Sequence, residues 1–220
     1  DGTKLNIEMA LLANAYGWKP HVRGMEGPKV VHVDDLLGGV FDYDAYNGEG
    51  KVDYILGGKP GAGVYCIGKM TDKLAEFQKP YLSYYKLGDG PYYVLYRPYH
   101  LCHMETPLTV ARAALLNEPL LQPWKGYVAD VYAFAKRDIA AGEVIEHGIG
   151  GEHFYGMIES ADVAARDGLV PMWMIEPDSE GNRATVTGDI AKDGPLTRDA
   201  VEFPDSYMHE MAAKQSKLGD

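Results

Sequence analysis

Between Tyr93 and Pro107 the chain reads Tyr93-Val94-Leu95-Tyr96-Arg97-Pro98-Tyr99-His100-Leu101-Cys102-His103-Met104-Glu105-Thr106-Pro107. A guanidinium, two imidazoles, a thiol, several phenols and a carboxylate therefore fall within one short stretch. Arg97 can hold a substrate carboxylate or phosphate, because its planar fork makes paired hydrogen bonds that a lysine cannot make. It can equally form a structural ion pair with one of the chain's many acids. His100 and His103 can donate hydrogen bonds to a substrate or move protons near neutral pH. With Cys102 and Glu105 they can also ligate zinc or iron, although the spacing matches no zinc signature, and a capped turn with partly exposed histidines is the structural alternative. The tyrosines of this region, Tyr99 included, most often mean packed strands with wet hydroxyl tips, and one of them can also contact substrate.

A second candidate lies at the start of the chain. Lys4 can act as an acid or base or polarise a carbonyl, and Glu8 lies one turn later on the same helical face. The two form either an ordinary i,i+4 pair or a catalytic couple, and composition favours the ordinary pair. Two glycine clusters, Gly57 to Gly63 and Gly148 to Gly151, lack the order of a phosphate loop or a dinucleotide fingerprint and read as turns.

The elements that must position these groups follow from spacing. Leu5, Met9, Leu12 and Tyr16 mark one apolar face of a first helix, with Thr3 as its cap and Gly17 as its stop. Residues 20–50 read as loop with a short strand at Val30 to Val33. Strands are expected at 52–56, 63–70 and 92–97, and a short helix at 71–78. Thr106 as N-cap and Pro107 as first helical residue predict a helix through Val110, Ala113, Ala114 and Leu116 toward Asn117. Its dipole end would face back on the 100–105 turn and make an anion site there.

Leu120 to Gly126 is the best linker, so two domains are expected, 1–122 and 123–220. The second is built of short β runs at 127–135, 143–146, 153–158, 169–175 and 184–186. A weak repeat links Ala135 to Ile145 with Asp189 to Thr197, each a strand end, a charged turn and a return strand. Residues 205–216 predict a closing helix with Tyr207, Met208, Met211 and Ala212 on one face.

At 220 residues and 46% hydrophobic content the chain can bury a real core. Twenty-one basic against thirty-two acidic residues give 21 − 32 = −11, which argues against a nucleic-acid surface and against an anionic membrane. No apolar run nears the roughly 20 residues that span a bilayer, and no signal peptide is visible, so the cytoplasm is the default location. Cys66 and Cys102 are too few and too separated for a disulfide framework. The start at Asp1 rather than Met suggests a fragment, a processed product or a trimmed piece of a longer protein.

Three segments carry a resemblance: Asp1-Gly2-Thr3-Lys4 followed by Ile7-Glu8-Met9-Ala10, then Gly88-Asp89-Gly90-Pro91-Tyr92-Tyr93, then Tyr96 through Pro107. With Ala135 to Glu143, which looks like the start of a SAF module, they make the chain resemble the C-terminal half of the homoserine-dehydrogenase-like NAD(P)-dependent oxidoreductases. That group includes the enzymes similar to deoxyxylulose phosphate reductoisomerase. The resemblance implies an α+β fold: a mixed catalytic domain, then a small mostly-β SAF domain of β-clip type and a C-terminal helix. It implies NAD or NADP as cofactor, held mainly by an N-terminal Rossmann domain that these residues lack, and a small hydroxylated carbonyl substrate bearing phosphate or carboxylate. It raises Lys4, with Glu8 and His100, to acid/base candidates, and makes Arg97, His103, Tyr99 and Glu105 candidates for the substrate side, with no metal required. The expected partners are the small-molecule substrate, a separate or missing nucleotide-binding domain and further copies in a homo-oligomer. Two other readings stay open: a non-catalytic module for a sugar-like ligand or for subunit assembly, and a metal-dependent lyase or isomerase using His100, His103 and Glu105.

Overall fold

The first helix, α1 (Thr3–Tyr16), starts after Gly2 and stops at Gly17, both left-handed at φ 81 and 77. Glycine adopts that backbone region without the steric cost a Cβ imposes. The computed structural model describes residues 2–99 and 101–215. After α1 come β1 (Lys19–Pro20), β2 (Lys51–Val52), β3 (Val64–Lys69), α2 (Asp72–Tyr84), β4 (Tyr92–Arg97) and α3 (Cys102–Leu116). Then follow β5 (Ala129–Ala135), β6 (Phe154–Ser160), α4 (Ala161–Arg166), β7 (Thr185–Val186), β8 (Val201–Glu202) and α5 (Tyr207–Gln215). Helices with small two-stranded sheets make this a mixed α+β chain.

The chain forms two compact units. The first joins Asp1–Glu26, Glu49–Asp53 and Gln122–Asp220, and the second joins Gly27–Gly48 and Tyr54–Leu121. The division is thus not a single cut at residue 122, because α1 belongs with the C-terminal stretch. Long-range hydrogen bonds explain why. Gly156 N–H donates to Thr3 Oγ1 at 2.8 Å and Ile158 N–H to Asn6 Oδ1 at 2.8 Å, so α1 takes up main-chain donors of β6. One helical stretch further on, Asn14 Oδ1 accepts from Val128 and Ala129 N–H at 2.7 and 3.0 Å, and its Nδ2 donates to the Ala129 carbonyl at 3.0 Å.

The buried residues of α1 are accordingly Thr3, Asn6, Ala10, Ala13 and Ala15, not the expected stripe of Leu5, Met9, Leu12 and Tyr16. Tyr16 is 48% exposed. Small side chains let the helix backbone approach the sheet closely, and a buried backbone N–H left without a partner is costly. Thr3 does not cap the helix but accepts a bond from across the unit. Gly156 makes the approach possible: a Cβ there would lie 3.0 Å from Thr3 Cγ2 and collide with Val131.

β5 and β6 pair antiparallel, from Ala129 opposite Ser160 to Ala135 opposite Phe154. Nearly every residue of β5 is buried, an unbroken apolar run rather than an alternating one. Both faces are covered: α1 docks on one side, and Tyr132 and Phe134 pack with Ala164 and Leu169. The free edge of β5 is bonded by flanking loops, with Ala133 N–H to Val170 O and Leu196 N–H to Ala133 O, both 2.9 Å. The runs expected at 143–146 and 169–175 reduce to isolated bridges and a 3₁₀ turn (Met172–Ile175).

In the second unit β3 and β4 pair antiparallel, with Val64 opposite Arg97 and Cys66 opposite Leu95. Their core is Val33, Leu36, Phe41 and Val94, backed by Tyr43, Tyr65 and Ile67. The strand expected at Val30 to Val33 is instead two single parallel bridges, Lys29 to Leu56 and His32 to Lys59, leading into a 3₁₀ turn (Val33–Gly38). Asp35 Oδ2 takes the Val31 and His32 N–H groups at 2.9 Å each, which removes both donors from any ladder. α2 runs six residues past its expected end, through Pro80. It presents Leu74, Phe77, Tyr81 and Tyr84 at helical spacing to the surface, and α3 has no buried residue.

The start of α3 corrects the expected one. The Leu101 carbonyl already accepts the N–H groups of Met104 and Glu105 at 2.9 Å each, so the helix begins at Cys102, and Thr106 and Pro107 lie inside it. Pro107 has no N–H for the His103 carbonyl, a loss a helix tolerates near its N-terminus better than in its middle. Thr106 turns its hydroxyl back onto the Cys102 carbonyl at 2.6 Å instead of capping. The anion site expected over a 100–105 turn is therefore not formed as such, because His103 and Glu105 are themselves in the first turns of the helix.

Candidate active site

Two groups of residues selected from sequence sit one in each unit. In the first unit Lys4 projects from the first turn of α1, its side chain 83% exposed, with Nζ 3.7 Å from Glu8 Oε1. The helix supplies this pairing, since residues four apart share a face. An exposed ammonium held beside a carboxylate can hand a proton to a carbonyl oxygen or take one from a hydroxyl.

In the second unit Arg97 closes β4 and pairs with Glu105 on α3, the guanidinium donating from Nη2 to Oε1. The arginine side chain is 72% exposed, so the fork can still reach solvent. The loop between them holds Tyr99 at φ 49, a left-handed conformation that strains a non-glycine residue, with its ring 57% exposed. His103 is exposed on the first turn of α3. His100 lies outside the described residues. The structure thus brings Arg97 and Glu105 into contact, while Tyr99 and His103 lie beside them along the chain where β4 gives way to α3. Among the described residues no three of His, Cys, Asp and Glu converge to hold a metal ion.

A third cluster escaped sequence reasoning. Asp130, at the start of β5, accepts the Trp173 indole N–H at 2.9 Å and the Tyr127 hydroxyl at 2.8 Å on Oδ2, and the Val131 N–H at 2.7 Å on Oδ1. Tyr127 and Tyr132 bring their hydroxyl oxygens within 3.4 Å. Burial pushes the Asp130 carboxyl above its ordinary range while these hydrogen bonds pull it down. Burial, with Asp130 and Tyr132 close by, raises the Tyr127 phenol, and burial pushes Tyr132 up to about 12. The available signal was the lone acid in the apolar run Ala129-Asp130-Val131.

A nicotinamide dinucleotide is normally cradled by a glycine-rich turn in a β-α-β unit of a parallel sheet. Among the described residues strands pair only two at a time, and the one parallel pair, β1 with β2, is two residues long. These residues build no such cradle. No helix among the described residues is long and apolar enough to cross a membrane.

Residues 1–106 match the family model described as the catalytic domain of oxidoreductase DRL. The match supports an oxidoreductase catalytic domain in this part of the chain, and it contains all seven candidates from Lys4 to Glu105. Asp130, Trp173 and their neighbours lie beyond it. No curated protein matches the chain.

Proposed function

We propose that this chain supplies the substrate-side portion of an oxidoreductase that uses NAD or NADP and acts on a small hydroxylated carbonyl compound with a phosphate or carboxylate end. The family match over residues 1–106 carries this reading, because it spans every residue selected for such chemistry. Lys4 gives or takes the proton at the substrate oxygen, and Glu8 holds its ammonium in place. In the other unit Arg97 is the group fitted to grip a substrate anion, and the Glu105 carboxylate keeps its fork extended until an anion replaces it. Tyr99 and His103 orient the substrate, and His100 shares the proton handling. The dinucleotide is held by a nucleotide-binding domain, attached or separate, and residues 123–220 form a SAF module of β-clip type. The interlocked turns at Asp138 and Asp189 support that last assignment.

The test is turnover of NADH or NADPH by the native protein against a panel of phosphorylated and carboxylated hydroxyketones. Lys4→Ala is expected to lower kcat and Arg97→Ala to raise KM for anionic substrates. Unchanged kcat/KM in either variant overturns that residue's assignment.

A second reading, a non-catalytic assembly module, draws on the apolar faces of α2 and α3. Phe77 is 70% and Tyr84 79% exposed, with Tyr81 between them. These three rings cover roughly 400 Å², and with Leu74 on the same helix and the same patch on a second copy the total approaches the about 1,000 Å² a specific interface needs. A second copy is the proposed occupant in either reading. Sedimentation of the wild type and of Phe77→Glu decides: a dimer lost in the variant supports it, and a monomeric wild type overturns it.

A further inference from the structure

The first unit contains a pocket of about 190 Å³ between α1, the start of β5 and the 3₁₀ turn at Met172. Ile7, Leu11, Ile149 and Met172 make its walls apolar, and Asp130 and Trp173 stand among them. Two features of Asp130 decide what such a pocket can take.

A carboxylate has about four acceptor positions. Trp173 and Tyr127 occupy two on Oδ2 and Val131 N–H one on Oδ1, which leaves one on Oδ1 for a donor from the pocket. All three existing partners are neutral, and among the described residues no lysine, arginine or histidine pairs with Asp130. A carboxylate taken out of water without a counter-charge is costly, and a cation brought to it recovers much of that cost.

We propose that this pocket binds a small aliphatic ammonium compound, with the nitrogen donating to Asp130 Oδ1 and the carbon chain lying against Ile7, Leu11 and Met172. Size sets the class. A pocket of this volume has room for several waters or for a short alkyl chain with one polar head. An alcohol offers a donor without the charge, and a carboxylate ligand meets a like charge. The pocket lies wholly in one unit, and although Ile7 and Leu11 fall inside the matched 1–106 region, Asp130 and Trp173 lie beyond it, so the argument from Asp130 does not depend on the oxidoreductase reading.

The experiment is calorimetric titration of the full chain at pH 7 with n-butylammonium, n-butanol and butyrate. In parallel, the indole N–H resonance of Trp173 is followed by NMR. Saturable one-to-one binding of butylammonium is expected, about tenfold tighter than butanol, with none for butyrate. The Trp173 resonance shifts along the same isotherm. Asp130→Asn loses about that tenfold preference, and Leu11→Trp, which fills the pocket from a residue already 55% exposed, abolishes binding. Equal affinity for butanol and butylammonium overturns the proposal, as does absence of binding to the folded wild type. Should Asp130→Asn fail to fold, Leu11→Trp decides, and binding retained there rejects the site.

Discussion

Asp138 and Asp189 occupy matching places in two copies of one turn, and each carboxylate caps the other copy. Asp138 Oδ1 accepts the Lys192 N–H at 2.7 Å, and Asp189 Oδ1 accepts the Ala141 N–H at 2.9 Å. Between them Ile139 and Ile190 exchange both backbone hydrogen bonds at 2.9 Å, around two buried side chains. Replacing either aspartate by alanine is expected to cost about 1 kcal/mol in denaturant unfolding, because each change leaves one backbone donor without its charged acceptor. The turns share the Ile139–Ile190 pair, so the double variant should depart from the sum of the two singles. Strict additivity would show that the turns act independently.

Docking of α1 rests on Thr3 and Gly156. Thr3→Val keeps the shape and removes the acceptor for the buried Gly156 N–H, at an expected cost of about 1–3 kcal/mol. Gly156→Ala forces a Cβ against Val131 and Thr3 and should cost at least as much, about 1–3 kcal/mol. Thermal unfolding of both variants checks this. Wild-type stability in both would mean that the leucine face, not the small polar face, holds the helix.

Glu143 gives the first unit a defined acid response. The Arg137 side chain, then the Ala140 N–H, with further help from the Arg137 charge and His153, hold its carboxyl down at about 2, against an ordinary 4.5. A lowered folded pKa means stability that is fully present above 4.5 and is lost as pH falls through about 2. Urea midpoints measured from pH 7 to pH 2 should therefore converge for wild type and Glu143→Gln below pH 4.5. A gap that stays constant down to pH 2 would falsify this assignment.

Tyr99 separates strain from use. Its backbone at φ 49 suits glycine, so Tyr99→Gly should leave stability unchanged or raise it by up to about 1 kcal/mol. If the ring orients substrate, the same variant raises KM. A variant that is less stable yet fully active contradicts both halves.

Much of the element pattern was legible before the structure. β4 falls on 92–97 as expected, and β3 lies within 63–70, because alternating apolar and aromatic residues between glycine-rich turns leave few other options. The closing helix lies within 205–216, and the repeat at Asp138 and Asp189 appears as two interlocked turns. The start of α3 was not legible. Thr106 and Pro107 form a good helix opening when taken alone, but the carbonyl of Leu101 starts the helix five residues before Pro107.

The sequence by itself determined where backbone turns, through Gly2 and Gly17 around α1, and which segments carry Arg97, His103 and Lys4. Only the tertiary structure decided which side of α1 is buried and which acids are engaged. Leu5, Met9 and Leu12 form the more hydrophobic stripe, yet main-chain N–H groups at Gly156, Ile158 and Ala129 need acceptors that only Thr3, Asn6 and Asn14 can bring. Those donors lie more than a hundred residues away along the chain, so no local pattern encodes the choice. The same holds for Asp130, an ordinary acid in its own strand until Tyr127 and Trp173 close over it.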